Sequence, residues 1–285
     1  MQQSSWSPRW TPLAFALCAA AGCAKKEAPP PAMQAGPNHV MVSASDYAFT
    51  APDTIAAGLE MFHLTSKGPS LHHLQIVALD SGKTVRDLMA AMKNPGPPPA
   101  WMRFVGGPNA VVPSGVDTTV AFLTLAAGNY ALLCAIPDST GVPHFAHGMA
   151  RALTVTASAA IPAPEPKPDA VVHLKDYDFV VTGTIAAGRR TIRVVNDGPQ
   201  THEMVVAAMA PGKHARDLVA WVDAGMKGAP PAKPIGGATG LAPGGHETVQ
   251  LDLPAGDYAL LCFLPDAKDG KEHVTHGMMK DLKVS

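Results

Sequence analysis

The sequence predicts an all-β chain of two tandem Greek-key β-sandwich domains, each with one short inserted helix. Three observations carry that expectation. Gly (26) and Pro (28) are abundant among the 285 residues, which favours turns and short strands over long helices. Apolar residues alternate with less apolar ones over short runs, as in strands with one buried face. The third observation is that most of the chain is written twice. Asp46-Tyr47-Ala48-Phe49 returns as Asp176-Tyr177-Asp178-Phe179, and Thr54-Ile55-Ala56-Ala57-Gly58 as Thr184-Ile185-Ala186-Ala187-Gly188, both 130 positions later. Gly68-Pro69-Ser70-Leu71-His72 matches Gly198-Pro199-Gln200-Thr201-His202 at the same offset. The segment from Ala127 to Cys134 (AGNYALLC) matches Ala255 to Cys262 (AGDYALLC), and His147-Gly148-Met149 matches His276-Gly277-Met278. So long a period means duplicated domains; solenoid units are far shorter.

Arg9 precedes an apolar run from Leu13 to Gly22, too short for a bilayer span but suited to a secretory signal. The run ends in Ala20-Ala21-Gly22-Cys23, which resembles a lipobox, with Ala20 where Leu is commoner. Residues 1–22 are therefore expected to be a lipoprotein-type signal peptide and Cys23 the lipidated residue. A plain signal peptide cleaved nearby is the alternative. Residues 23–37 read as a Pro-rich tether, 38–157 as the first domain, 158–168 as a Pro-rich linker and 169–285 as the second domain. The chain would then sit on the periplasmic face of the cell envelope, held to the membrane by its lipid.

Within each copy, Phe62 and Leu64 mark a strand, echoed by Ile192 and Val194. Leu74, Ile76 and Ala78 mark the strand after His72, and Val120, Phe122 and Leu123 a later one. Tyr130, Leu132 and Cys134 share one face of the last strand before a long loop. Seven or eight strands per copy are expected. Val85, Leu88, Met89 and Met92 fall at helical spacing, as do Ala215, Leu218, Val219 and Val222; this stripe reads as core packing.

One set of residue types carries chemistry, in the same order in both copies. It is His72, Cys134, His144 and Met149, then His202, Cys262, His273 and Met278. Two imidazoles and a thiolate with a weak thioether form a site that suits copper. Thiolate and thioether favour Cu(I) and imidazole accepts Cu(II), so a rigid compromise suits electron transfer. His147 and His276 also recur and stay open as alternative ligands, although the four-residue gap to Met favours His144 and His273. His73 follows His72, but its counterpart is Glu203, so the repeat assigns the role to His72. Taken singly, each of these residues reads as packing or surface. Their joint recurrence points to metal, with a copper-free sandwich or a Cys134–Cys262 disulfide as alternatives.

On the Gly-Pro-x-x-His, Ala-Gly-x-Tyr-Ala-Leu-Leu-Cys and His-x-x-x-x-Met segments, both copies resemble the cupredoxin superfamily. The resemblance implies a blue-copper sandwich, with His72 and His202 as strand ligands and Cys134 and Cys262 as thiolates. It implies His144 and His273 as loop ligands and Met149 and Met278 as axial ones. The pattern also looks like uncharacterised envelope proteins with a cupredoxin-like domain.

Net charge is -1, with 22 basic and 23 acidic residues, which gives no reason to expect nucleic acid as a partner. No His-x-His pair occurs, and Leu133, Ala135, Leu261 and Phe263 flank the two cysteines. A second, catalytic copper bridged through a His beside the Cys is therefore not expected, and nor is an enzyme. The expected function is a membrane-tethered copper protein for electron transfer or copper handling, with a redox or copper-donor protein as partner. The alternative is a metal-free binding or scaffolding lipoprotein.

Overall fold

The computed structural model describes residues 1–3, 36–93, 96, 98–113 and 118–285. Cys18, Cys23 and the apolar run from Leu13 to Gly22 lie outside the described residues. Among the described residues, no helix is long and apolar enough to cross a membrane. Residues Gln34–Ser285 form one compact unit.

The first half supplies β1 (Asn38–Ser45), β2 (Ala48–Thr50), β3 (Thr54–Ala56), β4 (Gly58–Ser66), β5 (Gln75–Leu79), α1 (Val85–Ala91), β6 (Met102–Gly106), β7 (Thr118–Leu125), β8 (Gly128–Leu133) and β9 (Ala150–Thr156). The second half supplies β10 (Ala170–Lys175), β11 (Asp178–Gly183), β12 (Gly188–Asn196), β13 (His202–Met209), α2 (Ala215–Asp223), β14 (Ala232–Leu241), β15 (His246–Leu253), β16 (Gly256–Leu261) and β17 (Met279–Val284). The first half thus has one strand more than expected. The extra one is β3, which pairs along β9; the matching segment 184–186 is not in a strand.

The strands form two sheets, ordered β11-β10-β12-β15-β7-β4-β1-β2 and β17-β16-β13-β14-β6-β5-β8-β9-β3. The first order is a mirror list about its middle, and the second is one apart from β3 at its edge, because equivalent strands of the two halves meet edge to edge. In the first sheet, β7 and β15 pair antiparallel with Val120↔Gln250, Ala121↔Val249 and Phe122↔Thr248. Position 121 therefore meets its own counterpart, as in the self-complementary contact of a two-fold dimer. In the second sheet, Asn109 N–H donates to Gly237 O (3.1 Å) and Thr239 N–H to Gly107 O (3.0 Å), an equally reciprocal pair. Pairing the middle strands covers four strand edges, two in each sheet, that would otherwise need protection. One apolar core runs between the sheets through both halves, with Phe62, Leu132 and Ala121 from the first and Val249, Leu251 and Leu260 from the second.

Each helix covers the outer face of the second sheet. Thr84 caps α1: its hydroxyl accepts Asp87 N–H (3.3 Å) and the Asp87 carboxylate accepts Thr84 N–H (2.9 Å). Leu88 then packs on Val77, Ala131, Leu133 and Phe145, while Leu218 and Val219 of α2 pack on Val205, Ala259 and Leu261. The residues 157–168 contain no strand or helix; Glu165 ties this stretch to Arg193 (2.8 Å) and His246 (3.1 Å).

Glu247 sits buried at the seam. One of its carboxylate oxygens accepts Gly107 N–H at 2.6 Å, and the other has no partner. Burial raises its pKa well above the ordinary carboxylate value. The folded state thus holds this proton more tightly than the unfolded chain does. Stability is then lost as pH rises above the unfolded carboxyl value of about 4.3 and through the folded one. Glu247→Gln keeps the acceptor and removes the ionisable group. Its melting temperature is expected to exceed the parent's at about pH 8, with the gain vanishing near about pH 4. A difference independent of pH would contradict this reading.

Candidate metal centre

In each half the local backbone brings two histidines and a cysteine together. His72 stands just before β5 and is fixed by two hydrogen bonds with Val111, at 3.3 and 2.8 Å. Cys134 directly follows β8, and the loop after it turns back through a short 3-10 turn, His144–His147. Phe145 N–H donates to Cys134 O (2.8 Å), Met149 N–H to His144 O (3.1 Å) and Cys134 N–H to Met149 O (3.2 Å). Gly148, at φ 103, supplies the left-handed residue that lets the chain reverse so tightly. The second half repeats the pattern with Val274 to Cys262 O (3.0 Å), Met278 to His273 O (3.0 Å) and Cys262 to Met278 O (3.3 Å).

The side chains converge. His72, Cys134 and His144 each offer one donor atom within 4.8 Å of the others, and so do His202, Cys262 and His273. His72 Nδ1 lies 3.2 Å from His144 Nδ1, and His202 Nδ1 lies 3.1 Å from His273 Nδ1. Cys262 Sγ is 3.2 Å from His273 Nδ1, and Cys134 Sγ is 3.6 Å from His144 Nδ1. Met149 and Met278 are fully buried, and the backbone carbonyl of each accepts the N–H of its half's cysteine. Both thiols are free, so the Cys134–Cys262 disulfide is excluded.

Hydrogen bonding fixes which nitrogen is available. His72 Nε2 lies 3.2 Å from Asp46 Oδ1 and His202 Nε2 lies 2.8 Å from Asp176 Oδ1. The ring proton is therefore assigned to Nε2, and the Nδ1 lone pair faces the centre. Burial, followed for His72 by the nearby His144, lowers the pKa of both strand histidines. Burial, and then His202, brings His273 down to about 4, and burial lowers His144 as well. All four imidazoles are thus neutral at pH 7. Burial pushes the Cys134 thiol up to about 12 and raises that of Cys262 too, so a bound cation must displace the thiol proton. The Nδ1 atoms of the two rings thus face one another beside the sulfur at the distances of a small shared donor cluster. The donor set fits copper.

His147 and His276, the alternative ligands, stand apart from the clusters. They are partly exposed and turn to carboxylates, His147 to Asp138 (2.9 Å) and His276 to Asp269 (3.2 Å). Tyr47 packs against His144 and His147, and Tyr177 against His273 and His276. Both tyrosines follow the orienting Asp in the two-residue turns β1–β2 and β10–β11, at φ 63 and 65. Such a conformation costs a non-glycine residue about 1–3 kcal/mol and persists where the surroundings hold it. In the sequence, Asp46-Tyr47 and Asp176-Tyr177 stand out only as markers of the repeat. Their recurrence was the signal for this role. Asp46→Ala and Asp176→Ala are each expected to weaken metal binding at their own site about 10–100-fold without unfolding the chain. Unchanged affinity in a metal titration would show that the carboxylates do not orient the rings.

His73 and Glu203 are both buried. His73 Nε2 accepts Ala135 N–H (2.8 Å) and Glu203 Oε1 accepts Phe263 N–H (3.0 Å). Each side chain thus holds the peptide just after the cysteine of its half.

No family model and no curated protein matches the chain. Solved structures do. Dithionite-reduced auracyanin from the photosynthetic bacterium Roseiflexus castenholzii is 26% identical over 40% of this chain and 94% of its own, with a TM-score of 0.28. A blue copper oxidase from Nitrosomonas europaea is 15% identical over 87% and 86%, with a TM-score of 0.26. A copper-containing nitrite reductase from Thermus scotoductus is 13% identical over 88% and 62%, with a TM-score of 0.24. At these scores the likeness decides nothing; the two-sheet sandwich and the ordered His-Cys-His sets do. The architecture is cupredoxin-like. Its two cupredoxin-like halves share sheets as well as a core.

Proposed function

We propose that the chain is a copper-binding electron carrier of the cell envelope, holding one copper ion in each half. His72, Cys134, His144 and Met149 would hold one ion and His202, Cys262, His273 and Met278 the other. Bound copper supplies a one-electron couple between Cu(I) and Cu(II). The observation that supports the reading is the duplicated His-Cys-His convergence, with His72, Cys134, His202, Cys262 and His273 at 0% exposure and His144 at 1%, and with Met149 and Met278 equally buried. Such burial supports electron carriage over copper delivery, because ligand exchange needs a donor that solvent or a partner can reach. The chain's own part is to fix two Nδ1 lone pairs, exclude water and hold the thiolate. Secretion by a signal peptide and lipidation at Cys23 complete the proposal, together with a soluble redox protein as partner.

Cycling the copper-loaded chain tests this reading. A mild reductant should bleach the thiolate-to-copper band at one electron per copper, and an oxidant should restore it with no metal lost. Release of copper on reduction would favour copper handling instead.

A further inference from the structure

We propose that His39, Met41, Met61 and His63 form an open site for a soft monovalent cation, Cu(I) or its analogue Ag(I). The site lies on the outer face of the first sheet, separate from the two buried clusters, and does not depend on copper binding there. β1 and β4 run parallel, with His39 opposite Met61 and Met41 opposite His63. Their alternate neighbours Val40, Val42, Phe62 and Leu64 belong to the core. The other four therefore form a two-by-two block on the outward face, His39 and Met41 exposed, Met61 and His63 half-buried. Across that block His39 Nδ1 lies 3.0 Å from His63 Nε2, with ring centroids 5.1 Å apart. Two nitrogens on one tetrahedral metal, at bonds of about 2.0 Å, stand about 3.3 Å apart. In the metal-free pair one of the facing nitrogens carries a proton. Moving it to the far nitrogen of its own ring frees both lone pairs for a cation.

Three features set this block apart from ordinary sheet surface. Met41 is 60% exposed, and among the described residues it is the one markedly exposed large apolar side chain within a strand or helix. A thioether left in solvent gains little from burial, so core packing does not account for it. The donors are two imidazoles and two thioethers, none of them negatively charged, a set that selects Cu(I) over hard dications. The adjoining positions of β7 are Val120 and Phe122, opposite His63 and Met61, which bring no carboxylate to attract a dication. Nor is the block a remnant of the repeat. The matching positions of the second half are Asp169, Val171, Thr191 and Arg193, and there Arg193 is paired with Glu165 at 2.8 Å. Equivalent sheet positions thus serve an ion pair to the linking segment in one half and stand open in the other.

The test titrates the full chain, labelled in its methionine methyl groups, with Ag(I) in chloride-free buffer and follows it by NMR. Ag(I) shares the ligand preference of Cu(I) without its redox chemistry. The methyl signals of Met41 and Met61 and the ring signals of His39 and His63 should move along one binding curve. Met41→Leu keeps the apolar bulk and removes the sulfur, so it should weaken that curve at least about tenfold with the metal-free melting temperature unchanged. His63→Ala should weaken it as much. Peroxide oxidation of Met41, followed by mass spectrometry, gives a second readout. It should be fast in the metal-free chain, where the thioether is open, and at least about tenfold slower with Ag(I) bound. Unmoved Met41 and Met61 signals, a Met41→Leu affinity equal to the parent's, or an unprotected Met41 would overturn the site. So would displacement of Ag(I) by an equal concentration of Zn(II). Met149 and Met278 report the buried clusters through signals of their own, so failure there and failure here are distinguishable.

Discussion

Cys134→Ser and Cys262→Ser should each abolish one half of the intense visible absorption of the copper-loaded chain, and the double variant should abolish all of it. The band requires a thiolate on copper, and a hydroxyl is too hard and too weakly acidic a donor to replace it. Each single variant should bind one copper tightly instead of two. Serine fits the space of either fully buried cysteine, so the fold should survive and the loss will report the site alone. Sites that depended on each other for assembly would instead both fail in a single variant. The backbone bonds that close each ligand loop lie within one half, which is why separate losses are expected.

Gly237→Ala should lower stability by about 4 kcal/mol or more, among the largest effects a single methyl can have. Gly237 lies at φ 121, and a Cβ there would overlap the carbonyl oxygen of Met204. Met204 is two residues after His202, so the backbone that must move also positions a proposed ligand. Gly107, at φ 139, is the counterpart, crowded by the carbonyl of Leu74 two residues after His72. The expected fall in melting temperature is about 10 °C or more for a chain of this size. Gly244→Ala is the control, since φ is 74 there but nothing lies within 4 Å of the added methyl. It should cost only about 1 kcal/mol. Equal losses at the two positions would mean that conformational strain, and not the close backbone contact, dominates.

Much of this was legible in the sequence, for reasons that differ by element. The helical stripes are local signals, and they mark α1 and α2. The strand ending at Cys134 shows its alternation openly because one face packs in the core and the other under α1. The donor sets were legible through recurrence, which separates them from ordinary buried Cys and Met. The pairing of β7 with β15 was not, because it joins segments about 130 positions apart through backbone groups that carry no residue code. Nor was β14, where Gly236-Gly237 interrupts any alternation. The orienting aspartates were visible only as repeat markers, since their role depends on a turn that holds the next tyrosine at positive φ. His73 and Glu203 looked unrelated because they do the same backbone-holding task with different chemistry.

A copper titration of the purified chain, followed by visible absorbance and metal analysis together, tests the central claim most directly. Two tightly bound equivalents per chain are expected, each adding its share of an intense thiolate-to-copper band. Saturation without such a band, or a melting temperature unmoved by copper, would contradict it.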